Sequence, residues 1–322
     1  MQKGILLKIA SAFAFMLMSV MVKVSNDRFP TGELVLFRSF FSMLVLVMWL
    51  AARHEFPAAI VTQRPFGHVL RGIAGSFGMF LGFAALTYLP LPDATAFSYA
   101  APLMVVVFAA VFLNERVRIY RWSAVAAGFG GVVVMLWDHL GGSVPGAAAG
   151  SATGVGVALT GALFAAIATI QTRRLTQTER TGAIVFYFSL VTSCAGAFAL
   201  VAASLWHVDW PSSALILPQA FVRPGFRDIL ALASIGVFGG LGQILMTESF
   251  RHADASIIAC FDYTSMLWAL AFGLLLFGET PTPGILAGAA IVAGAGIFVI
   301  WRERRLGLFN ADLRKAGGAR VA

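Results

Sequence analysis

Between Ala94 and Leu113 the chain runs for twenty residues without a formal charge. As a helix, at about 1.5 Å per residue, that run spans roughly 30 Å, the thickness of a bilayer's hydrocarbon core. A basic hinge, Asn114 to Arg121, separates it from a second, shorter apolar run, Trp122–Trp137. The pattern recurs along the chain. Charge-poor runs predict ten helices: Ile5–Val22, Leu34–Ala52, Val69–Leu89, Ala94–Leu113, Trp122–Trp137, Gly150–Gln171, Ala183–Leu205, Ile229–Thr247, Ala255–Phe277 and Gly284–Trp301. Charged residues make up 12% of the chain, against roughly 25% in a soluble domain. The expectation is an all-α membrane protein with ten transmembrane helices.

Charge placement bears on orientation. With the N-terminus inside, inner segments hold eighteen Lys and Arg residues, including Lys8 and Arg71. Outer segments hold four, Lys23, Arg28, Arg223 and Arg227, and Arg38 falls within a span. This positive-inside bias predicts that both termini are cytoplasmic. The net charge of +8 therefore reads as an orientation signal in short loops, not as a nucleic-acid face. The N-terminal MQKGILLKIASAFAFMLMSVMVK lacks an A-x-A cleavage pattern and reads as an uncleaved first helix. Cys194 and Cys260 both lie in apolar runs and suggest neither a disulfide framework nor a metal site.

The two ends of the chain echo each other. Gly75-Ser76-Phe77-Gly78 matches Gly236-Val237-Phe238-Gly239, and Asp93-Ala94 matches Asp254-Ala255. Further on, Glu115 pairs with Glu279, Gly130 with Gly294 and Trp137 with Trp301. Five helices per half is an odd number, so the halves must cross the membrane in opposite directions. The loops agree: Glu115 is followed by Arg116, Arg118 and Arg121, whereas Glu279 is followed by an uncharged TPTPG. This predicts two inverted five-helix repeats, residues 1–143 and 144–303, with a Gly/Pro-rich linker GGSVPGAAAG near the join and a basic cytoplasmic tail, 304–322. Inverted repeats are an architecture of secondary transporters, with the solute site near the midplane.

The run GFAALTYLPLPDATAFSYAAPL, the helix ending in LNER, the GFGGVVVML helix and the echo ending in FGET resemble the EamA-type branch of the drug/metabolite transporter superfamily. The segments VKVSNDRFPTGELVLFRSF and HVLRGIAGSFGMFLGFAAL are most similar to a subgroup that includes riboflavin and S-adenosylmethionine transporters. The resemblance implies small-metabolite transport across a bacterial inner membrane through a central cavity lined by both halves. One departure falls between the repeats: Pro102 has Tyr263 as its counterpart, so a proline kink in the fourth helix need not recur in the ninth.

Ionisable groups within spans are site candidates because they are costly there. Asp262 lies eight residues beyond Asp254 and suits a polar solute, a coupling proton or a neighbouring helix. Arg38 either contacts solute or anchors the second helix through Asp262, Glu33 or backbone carbonyls. Tyr99, Tyr263 and Trp268 lie on the repeat-related fourth and ninth helices and offer flat faces for a planar solute. Lys23 reads as a snorkelling helix end, and Glu248 and Arg251 as a local pair. The pairs Gly78/Gly82, Gly150/Gly154, Gly236/Gly240 and Gly284/Gly288 have the spacing of close helix contacts. The loop from Trp206 to Arg227 reads as an outer lid or an interfacial segment.

The chain has no P-loop, no H-E-x-x-H pair and no nucleophile elbow. The expected function is thus a secondary transporter in the lipid bilayer, without a cofactor or metal. A flat, largely uncharged heteroaromatic solute is favoured, with riboflavin uptake first. Amino acids, S-adenosylmethionine or a metallophore are the alternatives, and an intramembrane enzyme is the remote one.

Overall fold

The computed structural model describes residues 2–112, 119–140, 150–205, 221–252, 261 and 264–305. Glu115, Arg116, Arg118, residues 206–220, Asp254, Cys260, Asp262, Tyr263 and residues 306–322 lie outside the described residues, as does most of the predicted linker. Among the described residues every regular element is helical: α1 Gln2–Ser25, α2 Thr31–Ala52, α3 Pro65–Tyr88, α4 Leu91–Ser98, α5 Ala100–Phe112, α6 Ile119–Leu140, α7 Gly150–Thr176, α8 Thr181–Leu205, α9 Phe226–His252, α10 Thr264–Phe277 and α11 Pro283–Arg305. Seven membrane-long apolar stretches fall in α1, α2, α3, the α4–α5 pair, α7, α8 and α9, and three shorter apolar ones in α6, α10 and α11. The chain is a multi-pass helical membrane protein.

Two of these boundaries differ from the sequence reading in ways that matter. α3 begins at Pro65, whose missing N–H is no loss in a helix's first turn. That places Arg71 six residues inside the helix, not in an inner loop. The predicted fourth helix is broken at Tyr99 into α4 and α5. Pro102 has no N–H to donate to the Ser98 carbonyl, so the ladder is interrupted there. The Tyr99 N–H bonds the Ala96 carbonyl instead, at 3.1 Å.

Apolar burial gives helices little reason to associate in lipid, so close backbone contact has to supply much of the attraction. α1 packs on α9, α3 on α7, α2 on both α8 and α9, α3 on α8, and α6 on α11. Small residues permit these approaches. A Cβ on Gly131 would sit 2.8 Å from the Gly288 carbonyl oxygen, and one on Gly288 would overlap the Gly131 carbonyl. Gly236 and Gly240 face Phe41 and Ser42 across the α2–α9 crossing, and Gly78 faces the Ala165 backbone of α7. Gly82 meets nothing within 4 Å. A side chain there would enter open space, but the Gly82 backbone nitrogen would lie 3.4 Å from a Cβ on Gly161, so the close approach of α3 and α7 runs past it.

Polar ties hold both ends of the bundle. At one end the Glu179 carboxylate accepts hydrogen bonds from the Thr62 hydroxyl (3.0 Å) and the Gln63 N–H (3.1 Å), and lies 3.9 Å from His68 Nε2. Arg251 donates to the Glu179 carbonyl. This corrects the expected Glu248–Arg251 pair: the guanidinium reaches across to the turn before α8. Glu179→Ala strips the acceptor from the half-buried Thr62 hydroxyl and the exposed Gln63 N–H, and a loss of roughly 1 kcal/mol is expected. Thermal unfolding in detergent would read it as a lower apparent Tm.

At the other end, Lys23 Nζ pairs with Glu279 at 2.7 Å and donates to the Leu89 carbonyl at 3.1 Å. The second Glu279 oxygen accepts the Leu91 N–H at 2.8 Å. The carboxylate thus caps the N-terminus of α4, where negative charge is favoured. Gly278 makes this possible. At φ +64° it turns the chain after α10, and the Glu279 N–H bonds the Gly273 carbonyl at 2.9 Å. Lys23 is therefore an ion-pair partner rather than a snorkelling end.

Candidate functional site

Where α1, α2, α3, α4, α7, α8 and α9 converge they enclose a cavity of about 360 Å³. Its apolar wall includes Phe15, Met18, Met79 and Phe83, and its polar groups include Arg38, Arg71, Thr172 and Gln243. The volume falls within the usual range for small-molecule sites. A second cavity of about 240 Å³ adjoins it, lined by Lys8, Tyr99, Pro102, Phe250 and Ser265. Ser98, Ala101, Ala165, Thr169 and Met246 border both. The break between α4 and α5 lies at this shared border.

The two guanidinium groups dominate the larger cavity. Arg38 is 2% exposed and Arg71 3%. One Arg38 Nη donates to the Gly239 carbonyl at 3.4 Å. Arg71 Nε donates to the Thr172 hydroxyl at 3.0 Å. Both lie over the ring of Phe188, with guanidinium carbons 5.3 Å (Arg38) and 3.7 Å (Arg71) from its centroid. Those two distances bound the carbon–carbon separation at about 9 Å. Aromatic faces attract such cations, and more so when desolvated.

Glycines make room for the arrangement. A Cβ on Gly75 would lie 2.6 Å from Phe188 Cε2, and one on Gly239 would lie 2.8 Å from Arg38 Nε. Both positions belong to the internal echo Gly75–Gly78 and Gly236–Gly239. The echo therefore marks where two helices part to admit the ring and the guanidinium.

Arg38 and Tyr99 border adjoining cavities. Arg38 takes the backbone-carbonyl option among its predicted partners. Glu33 instead accepts the Val222 N–H at 3.0 Å. Tyr99 is buried, and its hydroxyl lies 3.2 Å from the Ser265 hydroxyl oxygen. Trp268 borders neither cavity. Its ring packs edge-on against Phe13, with centroids 4.8 Å apart, because α10 turns that face toward α1. Asp262 and Tyr263 lie outside the described residues. Arg71 and Phe188 are functional candidates that the sequence reading passed over. Pro65 was the available signal for Arg71, since a helix started there carries residue 71 inward. Phe188, one of 28 phenylalanines, carries no such signal.

The EamA-like transporter family matches residues 2–137 and again residues 152–302. The chain is 28% identical over 299 residues to the pseudopaline exporter CntI of Pseudomonas aeruginosa, covering 92% of this chain and 95% of that one. It is 28% identical over 286 residues to an S-adenosylmethionine uptake transporter of Rickettsia prowazekii, covering 89% and 88%. It is 26% identical over 311 residues to a riboflavin transporter of Rhizobium johnstonii, covering 94% and 92%. A crystal structure of a protein with 20% identity superposes with a TM-score of 0.66, over 95% of this chain and 99% of its own. That likeness is one of fold.

Proposed function

The chain belongs to the EamA-like transporter family, and we propose that it moves a small metabolite across a bacterial inner membrane by alternating access around the Arg38–Arg71 cavity. The observation that carries this reading is a cavity between membrane-long helices from both ends of the chain, with buried polar groups in its wall. Secondary transporters hold their solutes in such places. In this reading the chain forms two inverted five-helix repeats, 1–143 and 144–303, with ten spans, a basic tail at 304–322 and both termini cytoplasmic.

Helix pairing supports the repeat. Exchanging α1 with α7, α2 with α8 and α3 with α9 turns the α1–α9 contact into α3–α7, and the α2–α9 contact into α3–α8. The α2–α8 and α6–α11 contacts map onto themselves. The double family match, with its gap at 138–151, falls at the same join. Lys8 and Arg71 are buried, so both leave the tally of inner charges. The bias remains sixteen to four.

Arg38 and Tyr99 are proposed as solute-contacting residues. Asp262 keeps its reading as a counter-ion or coupling-proton site, and Tyr263 as an aromatic wall. Riboflavin is the first solute to test. Phe15, Phe83 and Phe188 suit a flat ring system, and its ring carbonyls are acceptors for the cavity's donors. Expression in a riboflavin-requiring strain is expected to restore growth at low external riboflavin. Absence of any growth advantage despite confirmed membrane expression removes riboflavin and leaves the transporter. Sealed vesicles that accumulate no solute from a broad labelled panel remove the transporter as well.

A further inference from the structure

Buried polar atoms normally find partners, and each exception calls for a reason. Among the described residues lining the larger cavity, the buried side-chain N and O atoms without a hydrogen-bond partner are Arg38 Nε and Nη1, Arg71 Nη1 and Gln243 Nε2. All are donors. Three helices, α2, α3 and α9, carry them, and Arg38, Arg71 and Gln243 all border the one cavity. Among the described residues neither guanidinium has a carboxylate within 4.0 Å. Two like charges held within about 9 Å in a buried place repel each other and lack hydration. Nothing in a purely structural role calls for that. A structural arginine in lipid is normally paired with an acid or satisfied by carbonyls, whereas here one carbonyl and one hydroxyl serve two guanidinium groups.

We infer that Arg38 and Arg71 form a receptor for a carboxylate carried by the transported solute, with Gln243 donating a further hydrogen bond. The inference rests on the transporter reading and names the chemistry of its substrate; because riboflavin carries no carboxylate, it ranks S-adenosylmethionine and amino acids ahead of the riboflavin that the aromatic wall alone suggests. Geometry permits the arrangement. A bidentate guanidinium–carboxylate contact holds the two carbons roughly 4 Å apart, so one carboxylate can reach both forks at any separation up to roughly 8 Å. The Phe188 distances keep the two guanidinium carbons within about 9 Å of each other. The planar fork matters as much as the charge, because lysine presents a single point donor in place of two parallel ones. Phe188 holds both planes, and Gly75 and Gly239 hold Phe188 and Arg38. Solute specificity then comes from the carboxylate end, while the phenylalanine and methionine wall accepts varied apolar bodies.

The test uses the full chain in detergent and in vesicles. Probes come in matched sets: S-adenosylmethionine against its decarboxylated form, monocarboxylic amino acids against their decarboxylated amines, and riboflavin against riboflavin 5′-phosphate. Thermal-shift titration is expected to show binding of at least one carboxylate, with its carboxylate-free partner weaker by 100-fold or more. Arg38→Gln and Arg71→Gln are each expected to lower that affinity at least 100-fold. Arg38→Lys and Arg71→Lys, which keep the charge, should still lose at least 10-fold. Size-exclusion profiles confirm folding, and the lysine variants carry the test should a glutamine variant fail to fold.

Equal binding of carboxylates and their carboxylate-free partners overturns the inference. So does binding by riboflavin that both glutamine variants leave unchanged, or the absence of any carboxylate binding to wild type. Preference for riboflavin 5′-phosphate over every carboxylate overturns it in favour of a phosphate site. Carboxylate binding without uptake in vesicles keeps the receptor and removes the transporter. Uptake of uncharged solutes without carboxylate binding does the reverse.

Discussion

Gly236→Val is expected to abolish recovery of folded protein from membranes. A Cβ at this position already overlaps the Phe41 Cβ, and it lies 3.1 Å from both the Arg38 carbonyl oxygen and Phe41 Cα. Two of those three atoms are backbone and cannot rotate away. Valine adds two further methyl groups to the same space, so α2 and α9 have to separate. Overpacking costs typically 1–3 kcal/mol and occasionally more. An obstruction made of backbone puts this site at about 3 kcal/mol or above. Separation also carries the Gly239 carbonyl away from Arg38, so the cavity wall is lost with the crossing. Fluorescence-detected size exclusion in mild detergent would register loss of the monodisperse peak. Gly130→Ala is the control: it meets nothing within 4 Å, and its profile should match wild type. A normal Gly236→Val profile would show that the α2–α9 crossing does not depend on close approach.

Removal of the Glu279 carboxylate is expected to produce the other large effect. Glu279→Ala takes the partner from Lys23 and the cap from the Leu91 N–H in one step. Breaking a fully buried ion pair from one side costs about 3–5 kcal/mol. Here the side chains retain 15% and 19% exposure, which lowers the figure to roughly 2–3 kcal/mol. Lys23 keeps only the Leu89 carbonyl among its described hydrogen-bond partners. Thermal unfolding in detergent should fall accordingly. Lys23→Met combined with Glu279→Ala should recover part of the loss, since no charge is then left alone. A double variant no better than Glu279→Ala would mean that the cap, not the ion pair, dominates.

Much of the fold was legible in the sequence because lipid imposes one length on every span. Apart from the start of the ninth predicted helix, which falls among residues outside those described, the apolar runs located the described helices to within a few residues, and Pro, Gly and basic residues marked most ends. The internal echo was legible too, but its physical meaning was not. Only contacts reveal that Gly75 clears Phe188 and that Gly239 clears Arg38. Pro102 pointed to a kink in the fourth helix but not to a full break into α4 and α5, because an apolar run looks continuous wherever its hydrogen bonds are cut. Arg71 was misread for a different reason. Counting charges near helix ends assigns a residue to water or lipid but never to a cavity. Trp268 illustrates the converse: an aromatic residue on a suitable helix faced a neighbouring ring, and helix rotation is not written in a run that is apolar on every side.

Two guanidiniums gathered over one ring, Phe188, would also couple a carrier built this way to the voltage across its membrane. Moving one elementary charge through the full field is worth about 2.3 kcal/mol per 100 mV. An empty cavity whose described ionised wall groups are two guanidiniums presents the field with fixed positive charge. On the carboxylate proposal, a bound solute would cancel part of it. Loaded and empty carriers would then respond differently to the same potential, and a swing of the cavity through the field would make one half of the cycle more sensitive to voltage than the other. The bilayer's electrical state would thereby help to set which way the solute flows.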